Sequence, residues 1–479
     1  MASTSDVTSE CAVLAFHKTF SQHRRGASLA PRRANTKNLP AELLLVIFKL
    51  VYKQQLETRP LWPAIESSVR GPDWIEKDIA STSLFPYAIA SVCSLWRDVM
   101  SLVPEFWTRV MVLVDSPSIL PSAVISWSRD LPIELIVTRK DFEHSVDSQQ
   151  ERTQAVSILK TLINPHIHRI RKLCFKVMFS SSLPPFPTGF DGDPRILSRL
   201  GLECKEDDGV STGVWESLTS AEQQYPSLEN LSMDGRIFYH ACKKDSKWTA
   251  KCASVQHLSV SDFKPNPGES FSSSEFMHPI TIMLRLETLF LTNLNLDLDT
   301  SPSRPDSWPP SDSLNHITLS HIDVFEPIAE IFGWSSDAWS FTFSHSAIGN
   351  PGCIFGDDGG SLSLHDINAD QDLIPLLRCW RGEQLHVSEC PSFNDAVLTI
   401  MATETGDGTA FTCARNVREI DIIDCTNFSM VALRRLISNR VGSESEIATV
   451  SIRGKAPPIS TRDRRWLGKN LDAFDLDSV

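Results

Sequence analysis

Leu286-Glu287-Thr288-Leu289-Phe290-Leu291-Thr292-Asn293-Leu294 is the stretch on which the fold turns. Its frame is an apolar residue, two variable positions, an apolar residue, one variable position and a third apolar residue. Leu289 and Leu291 are two apart, so on an extended chain both side chains point to one side. The frame recurs as Leu228-Leu231-Met233, Val255-Leu258-Val260 and Leu314-Ile317-Leu319, with first residues 27, 31 and 28 apart. It returns as Val417-Ile420-Ile422 and Ile447-Val450-Ile452, 30 apart. Weaker units fit between them at Trp339-Phe341-Phe343, Leu362-Leu364 and Leu385-Val387, and Leu173-Phe175-Val177 is an earlier strand candidate. A period of this kind predicts short parallel strands, each followed by a segment that returns the chain to the next. The alternative is a series of ordinary strands in an α/β domain.

Pro- and Gly-rich stretches interrupt the pattern at Ser180–Arg195, Lys264–Glu275, Thr300–Ser313 and Gly356–Gly360. They read as loops projecting from one rim. The last strand candidate ends near Arg453, which leaves 454–479 as a cap or tail.

A different pattern stands at Asn38–Tyr52, NLPAELLLVIFKLVY. Pro40 and Glu42 suit the first turn of a helix, since proline lacks only an N–H that this turn leaves unpaired and a carboxylate suits the positive end of the dipole. The expected helix covers about 40–53. Leu43, Ile47, Leu50 and Val51 fall on one face, and Leu44 and Phe48 form a second ridge one step round. A helix this apolar has to be covered on more than one side. A second helix is expected at about 87–101, with a stripe of Ile89, Val92, Cys93, Trp96, Val99 and Met100. Pro104-Glu105-Phe106-Trp107 follows as a short helical or turn segment, then the β-like run Val110–Val114. Residues 54–86, with four prolines and Gly71, read as an insert.

Leu39-Pro40-Ala41-Glu42-Leu43-Leu44, Ile47-Phe48, Val92-Cys93-Ser94-Leu95-Trp96-Arg97 and Pro104-Glu105-Phe106-Trp107, in that order, resemble an F-box. The repeats behind it resemble an irregular leucine-rich repeat. The resemblance implies an α/β chain overall: a small all-α three-helix F-box at 38–107, then a leucine-rich-repeat-like α/β solenoid at 108–453. It also implies a substrate-recognition adaptor of a Skp-cullin-F-box ubiquitin ligase, docked on the Skp adaptor and through it on a cullin. The docking residues it implies are Leu39, Pro40, Leu43, Leu44, Ile47, Phe48, Val92, Cys93 and Trp96. For Val92 and Trp96 a purely core role is the simpler reading, because the same stripe must hold the helices together. Ubiquitin transfer would belong to other subunits, so no catalytic residue and no cofactor is expected in this chain.

Composition narrows the alternatives. Of the 479 residues, 41% are hydrophobic and 22% charged, as in a chain that builds a sizeable core. The net charge of −13 argues against a nucleic-acid partner, whose phosphates reward a basic surface. The first 37 residues carry six Lys/Arg against Asp6 and Glu10, which suits a solvated disordered tail or, less simply, a nuclear-import signal. No apolar run approaches the ~18 residues that span a bilayer, and 11–16 is too short for a signal sequence. Eleven cysteines, an odd number without compact spacing, suit free buried thiols. Together these point to the cytoplasm or nucleus.

No constellation of reactive residues stands out. His166 and His168 would share one face of a strand, but no spacing supplies further metal ligands. His240, Cys242, Cys252 and His257 have zinc-capable side chains at irregular gaps, and His257 sits inside a strand frame. Asp366, Asp370 and Asp372 lack the central glycine and terminal glutamate of a calcium loop. Gly356-Asp357-Asp358-Gly359-Gly360 has no following Lys-Ser/Thr and reads as a turn. Two further functions are compatible with the sequence. One is a repeat-type interaction scaffold whose N-terminal helices are only a cap, which would bury Leu43, Ile47 and Phe48. The other is an enzyme with a site near His166 and His168 or in the rim loops.

Overall fold

The protein is described here by a computed structural model. The described residues are 39–58, 85–115, 120–143, 147–209, 223–244, 247–297, 313–329, 338–356, 359–405, 411–443 and 445–477. The expected tail at 1–37, most of the insert and most of the Thr300–Ser313 loop lie outside them. The chain divides into two compact units, Met1–Pro184 with Thr188–Ser227, and Pro185–Pro187 with Leu228–Val479.

The first unit opens with helix α1 (Ala41–Thr58), which runs five residues past the expected end near 53. Where one amphipathic helix was expected at 87–101 there are two: α2 (Tyr87–Ala90) and α3 (Ser94–Ser101). The break falls at Ser91-Val92-Cys93, where Cys93 is fully extended with φ −163° and ψ 168°. Ser91, the β-branched Val92 and Ser94 within four residues favour such an interruption, and side-chain periodicity does not register it. Ser91 turns its hydroxyl back onto the Ala88 carbonyl at 2.8 Å. A 3-10 turn at Pro104–Trp107 follows.

Next come β1 (Arg109–Leu113), α4 (Leu120–Trp127), β2 (Ile133–Thr138), α5 (Ser148–Ile158), β3 (Ile170–Phe179) and β4 (Arg199–Glu206). β1 to β4 pair in chain order, each parallel to the one before. Two buried ionic groups hold this unit. Glu151, at the start of α5, accepts from the Met178 and Phe179 amides, from Ser182 Oγ and from Arg139. Arg169 donates to the carbonyls of Ile125, Arg129 and Leu131 and to Ser128 Oγ, which closes the C-terminal end of α4. The stretch starting at Ser180 is therefore not a projecting loop. Ser180–Ser182 and Leu183 are buried, because Glu151 and Asp208 satisfy the polar groups that would otherwise keep them in water.

The second unit is a run of ten strands, again pairing in parallel and in chain order. It begins with β5 (Asn230–Asp234), α6 (Gly235–Lys244), β6 (His257–Phe263), α7 (Ser273–Thr281) and β7 (Thr288–Leu294). Then come β8 (His316–Ser320), β9 (Ser340–Ser344), β10 (Ser361–His365), α8 (Ile374–Cys379) and β11 (Gln384–Ser388). It closes with α9 (Asp395–Met401), β12 (Glu419–Ile423), α10 (Met430–Arg440), β13 (Thr449–Arg453), α11 (Thr461–Asn470) and β14 (Ala473–Asp477). The 454–479 segment thus adds a helix with a Ser460/Asp463 capping box and a further strand in register with β13. The chain is α/β.

The recurring apolar frame supplies the core. Leu289, Ile317, Phe341, Leu362, Leu385, Ile420 and Val450 stand side by side across neighbouring strands, all buried. At the end of each strand from β6 to β12 one residue has left-handed backbone: Asp262 and Asn293, the next-to-last residues of β6 and β7, and His321, His345, Asp366, Glu389 and Asp424, which follow β8 to β12, with φ between 48° and 61°. Gly454 continues the row at φ 69°. Such a turn suits short polar side chains and glycine.

The position after that turn carries hydrogen bonds between units of the repeat. Ile322 N–H donates to Ser346 Oγ, Ile367 N–H to Cys390 Sγ, and Cys390 N–H to Cys425 Sγ, at 3.2, 3.4 and 3.4 Å. The same hydroxyl and thiols donate back to the carbonyls of Leu319, Leu364 and Val387. Cys390 and Cys425 are free and buried, as expected, but they act as hydrogen-bonding links and not only as small apolar fillers. Burial pushes the Cys390 thiol up to about 12.

Candidate docking site

Among the described residues of the first unit, a cluster of large apolar side chains on and beside α1 is exposed. It starts at Pro40, whose carbonyl accepts from the Leu43 and Leu44 amides at 3.1 and 3.2 Å and so begins α1. The two apolar ridges of this helix have separate fates. Leu44 and Phe48 are each 1% exposed. Leu43, Val46, Ile47 and Leu50 are 51%, 55%, 43% and 62% exposed. These four residues stand at i, i+3, i+4 and i+7, one stripe along the helix.

Aromatic contacts fix the buried ridge. Phe48 meets Trp96 of α3 edge-on, with ring centroids 5.2 Å apart. One turn on, Tyr52 packs against Phe85 and Phe106 at 5.4 and 5.2 Å, and these two rings meet each other at 4.8 Å. The Tyr52 hydroxyl donates to the Glu105 carbonyl at 3.2 Å, and burial raises its pKa. Trp107 donates its indole N–H to the Met100 carbonyl at 2.9 Å and packs in a tilted contact against Trp127 of α4, with ring centroids 4.6 Å apart. The helices are thereby joined to the strands of the same unit.

Of the nine residues implied as docking contacts, Leu39, Pro40, Leu43, Ile47, Val92 and Cys93 are exposed and Trp96 is half-buried. Leu44 and Phe48 do not fit the role, because their side chains are spent on packing within the unit. Val92 does not fit the core role preferred for it. The break before α3 swings it out of the stripe, and it is 56% exposed. The expectation omitted Val46, Leu95 and Leu102, which are also exposed. For Val46 the i+3 spacing from Leu43 was available as a signal; for the other two there was none.

The reactive-looking residues do not converge. His166 and His168 lie in a 3-10 helix (Asn164–Arg169) and not on a strand, and burial lowers the pKa of His166. Cys242 is on α6 and His257 on β6, and burial pushes the Cys242 thiol up to about 12. Asp366 pairs with His345, while Asp372 accepts from the amide of Ile374, the first residue of α8, at 2.9 Å. Among the described residues no three His, Cys, Asp or Glu side chains are grouped to hold a metal ion. Among the same residues no helix is long and apolar enough to cross a membrane. Gly356 and Gly359 have φ of 77° and 88°, the geometry of a glycine turn, with Asp357 and Asp358 outside the described residues.

No family model matches the chain, and the search of curated proteins finds no match.

Proposed function

We propose that the chain is a substrate-recruiting adaptor of a Skp-cullin-F-box ubiquitin ligase. In this reading α1 to α3 and the Pro104–Trp107 turn are an F-box that docks on the Skp adaptor. The strands behind them are a leucine-rich-repeat-like domain that holds a protein to be ubiquitinated. A cytoplasmic or nuclear location belongs to the same reading.

One observation carries it. Leu43, Val46, Ile47 and Leu50 are open while Leu44 and Phe48, one step round the same helix, are buried. A helix that only capped the repeats would turn its apolar stripe inward. Covering large apolar side chains is worth roughly 1.5–3 kcal/mol each, so a stripe of four is sufficient anchor for a stable complex. Leu39, Val92 and Leu95 add exposed apolar side chains within the segments that carry the F-box resemblance.

The test is co-purification of the full chain with a purified Skp adaptor, comparing wild type with Leu43→Asp/Ile47→Asp. Recovery of the adaptor by the wild type and loss by the variant supports the reading. Failure of the wild type, where another F-box protein recovers the adaptor, overturns it.

A further inference from the structure

The outward side of β8 to β13 carries a charge pattern that adaptor docking does not use. Its positions are in register from strand to strand. Including the residue after each strand, they hold five carboxylates: Asp366, Glu389, Glu419, Asp421 and Asp424. They hold one guanidinium, Arg453, and no lysine. They also hold five of the chain's 13 histidines: His316, His321, His345, His365 and His386. With the imidazoles neutral the strip carries a net −4, and with all five protonated it carries +1. Between the charged groups stand short hydroxyl residues such as Thr342, Ser363 and Ser451, which keep the floor low. All eleven ionisable side chains are exposed or half-exposed.

Four of the five imidazoles, those of His321, His345, His365 and His386, have defined neighbours. Ser320 Oγ lies 2.8 Å from His321 Nδ1, and Ser344 Oγ lies 2.8 Å from His345 Nδ1. The two rings stack with centroids 4.6 Å apart and planes 5° from parallel. On its other side His345 Nε2 meets Asp366 Oδ2 at 2.9 Å. His365 faces His345, His386 and Glu389. Its pKa is lowered first by burial and then by the two imidazoles, with Glu389 opposing. His386 Nδ1 is 3.5 Å from Asp421 Oδ2, which also binds Arg453. Asp421 Oδ1 has no hydrogen-bond partner among the described residues. His316 stands in register between Thr288 and Ser340, neither of which titrates.

We propose that this strip docks a cationic polypeptide segment, rich in lysine or arginine, at neutral pH and releases it in mild acid. Charge complementarity selects the occupant. The strip offers carboxylates without competing lysines, and among its outward positions Ile423 is the single large apolar side chain, too little to anchor an apolar peptide. Under the ligase reading the inference names the class of protein recruited. The docking itself needs no adaptor, so either claim can fail alone.

The test is fluorescence anisotropy of two peptides against the full chain without adaptor, one alternating lysine with glycine and the other glutamate with glycine. The lysine peptide binds at pH ~7.5 in low salt, and its affinity falls at least about tenfold at pH ~5.5. Glu389→Gln/Glu419→Gln, at exposed positions, weakens binding at pH ~7.5 by about tenfold. His321→Asn/His345→Asn binds at pH ~7.5 and loses less affinity in acid than the wild type does. Preference for the glutamate peptide, absence of lysine-peptide binding in low salt, or binding that Glu389→Gln/Glu419→Gln leaves unchanged would overturn the proposal. The last outcome would locate the binding elsewhere on an acidic chain.

Discussion

Phe48 and Trp96 meet edge-on at 5.2 Å, and this contact divides α1 into a face that builds the unit and a face left open. The residues of the two faces are neighbours in sequence and equal in apolarity. Their substitutions nevertheless have opposite readouts. Phe48→Ala opens a cavity under Trp96 and costs about 3–5 kcal/mol of stability. Leu43→Ala or Val46→Ala changes stability by about 0.5 kcal/mol or less, because those side chains are already in water. Urea unfolding of the three variants against wild type checks the contrast.

Trp96 gives a sharper comparison. Its indole N–H is buried and has no hydrogen-bond partner among the described residues. Trp96→Phe keeps a ring against Phe48 and removes an unsatisfied donor, so it costs about 1 kcal/mol or less. Trp96→Ala loses the ring and costs about 3–5 kcal/mol. Equal destabilisation by both substitutions would contradict this account of the contact.

Arg440 is fully buried and faces no carboxylate in its hydrogen bonds. It donates to the carbonyls of Met401, Cys413 and Ala414 at 2.8–3.2 Å and lies over the Phe411 ring at 4.2 Å. Burial lowers its pKa to about 10, so it remains charged at neutral pH. Arg440→Ala strands these carbonyls and costs about 3–5 kcal/mol, and Arg440→Lys does not recover the loss, because an ammonium lacks the planar fork. Thermal unfolding of the two variants measures both.

Gly454 closes the left-handed row, and a Cβ there would overlap the Asp424 carboxylate, which accepts from the Lys455 amide at 2.7 Å. Gly454→Ala therefore costs about 1–3 kcal/mol, more than an ordinary surface substitution. A neutral result by urea unfolding would contradict the turn geometry.

Native-state alkylation distinguishes the thiols. Among the cysteines of the described residues, Cys93 is exposed and Cys174, Cys252, Cys390, Cys413 and Cys425 are buried. Burial also raises the Cys252, Cys390, Cys413 and Cys425 pKa values. Iodoacetamide followed by peptide mass mapping should label Cys93 first and the buried five only on unfolding.

The strands of the second unit were legible because their inward residues repeat at fixed spacing, and every frame from Leu228 to Ile452 marks a strand. β2 and β4 were not. Ile133–Thr138 stands outside any periodic frame, and Arg199–Glu206 hides its apolar residues among charges and Gly201. β14 alternates only two apolar residues with aspartates, and its pairing with β13 is a tertiary fact. The buried turn at Ser180–Ser182 depends on Glu151, about thirty residues earlier, which no local pattern reports. At the candidate site the helix and its apolar character were readable. Which ridge faces inward was not, because Leu43 and Leu44 differ only in where Trp96 happens to lie.

The central claim is that the open stripe of α1 is a docking surface for a Skp adaptor. Isothermal titration of a purified Skp adaptor into the full chain tests it most directly. The account predicts saturable binding by the wild type and its loss in Leu43→Asp/Ile47→Asp, with the unfolding midpoint of that variant unchanged. No heat of binding with folded wild-type protein, or unchanged affinity in the variant, would contradict it.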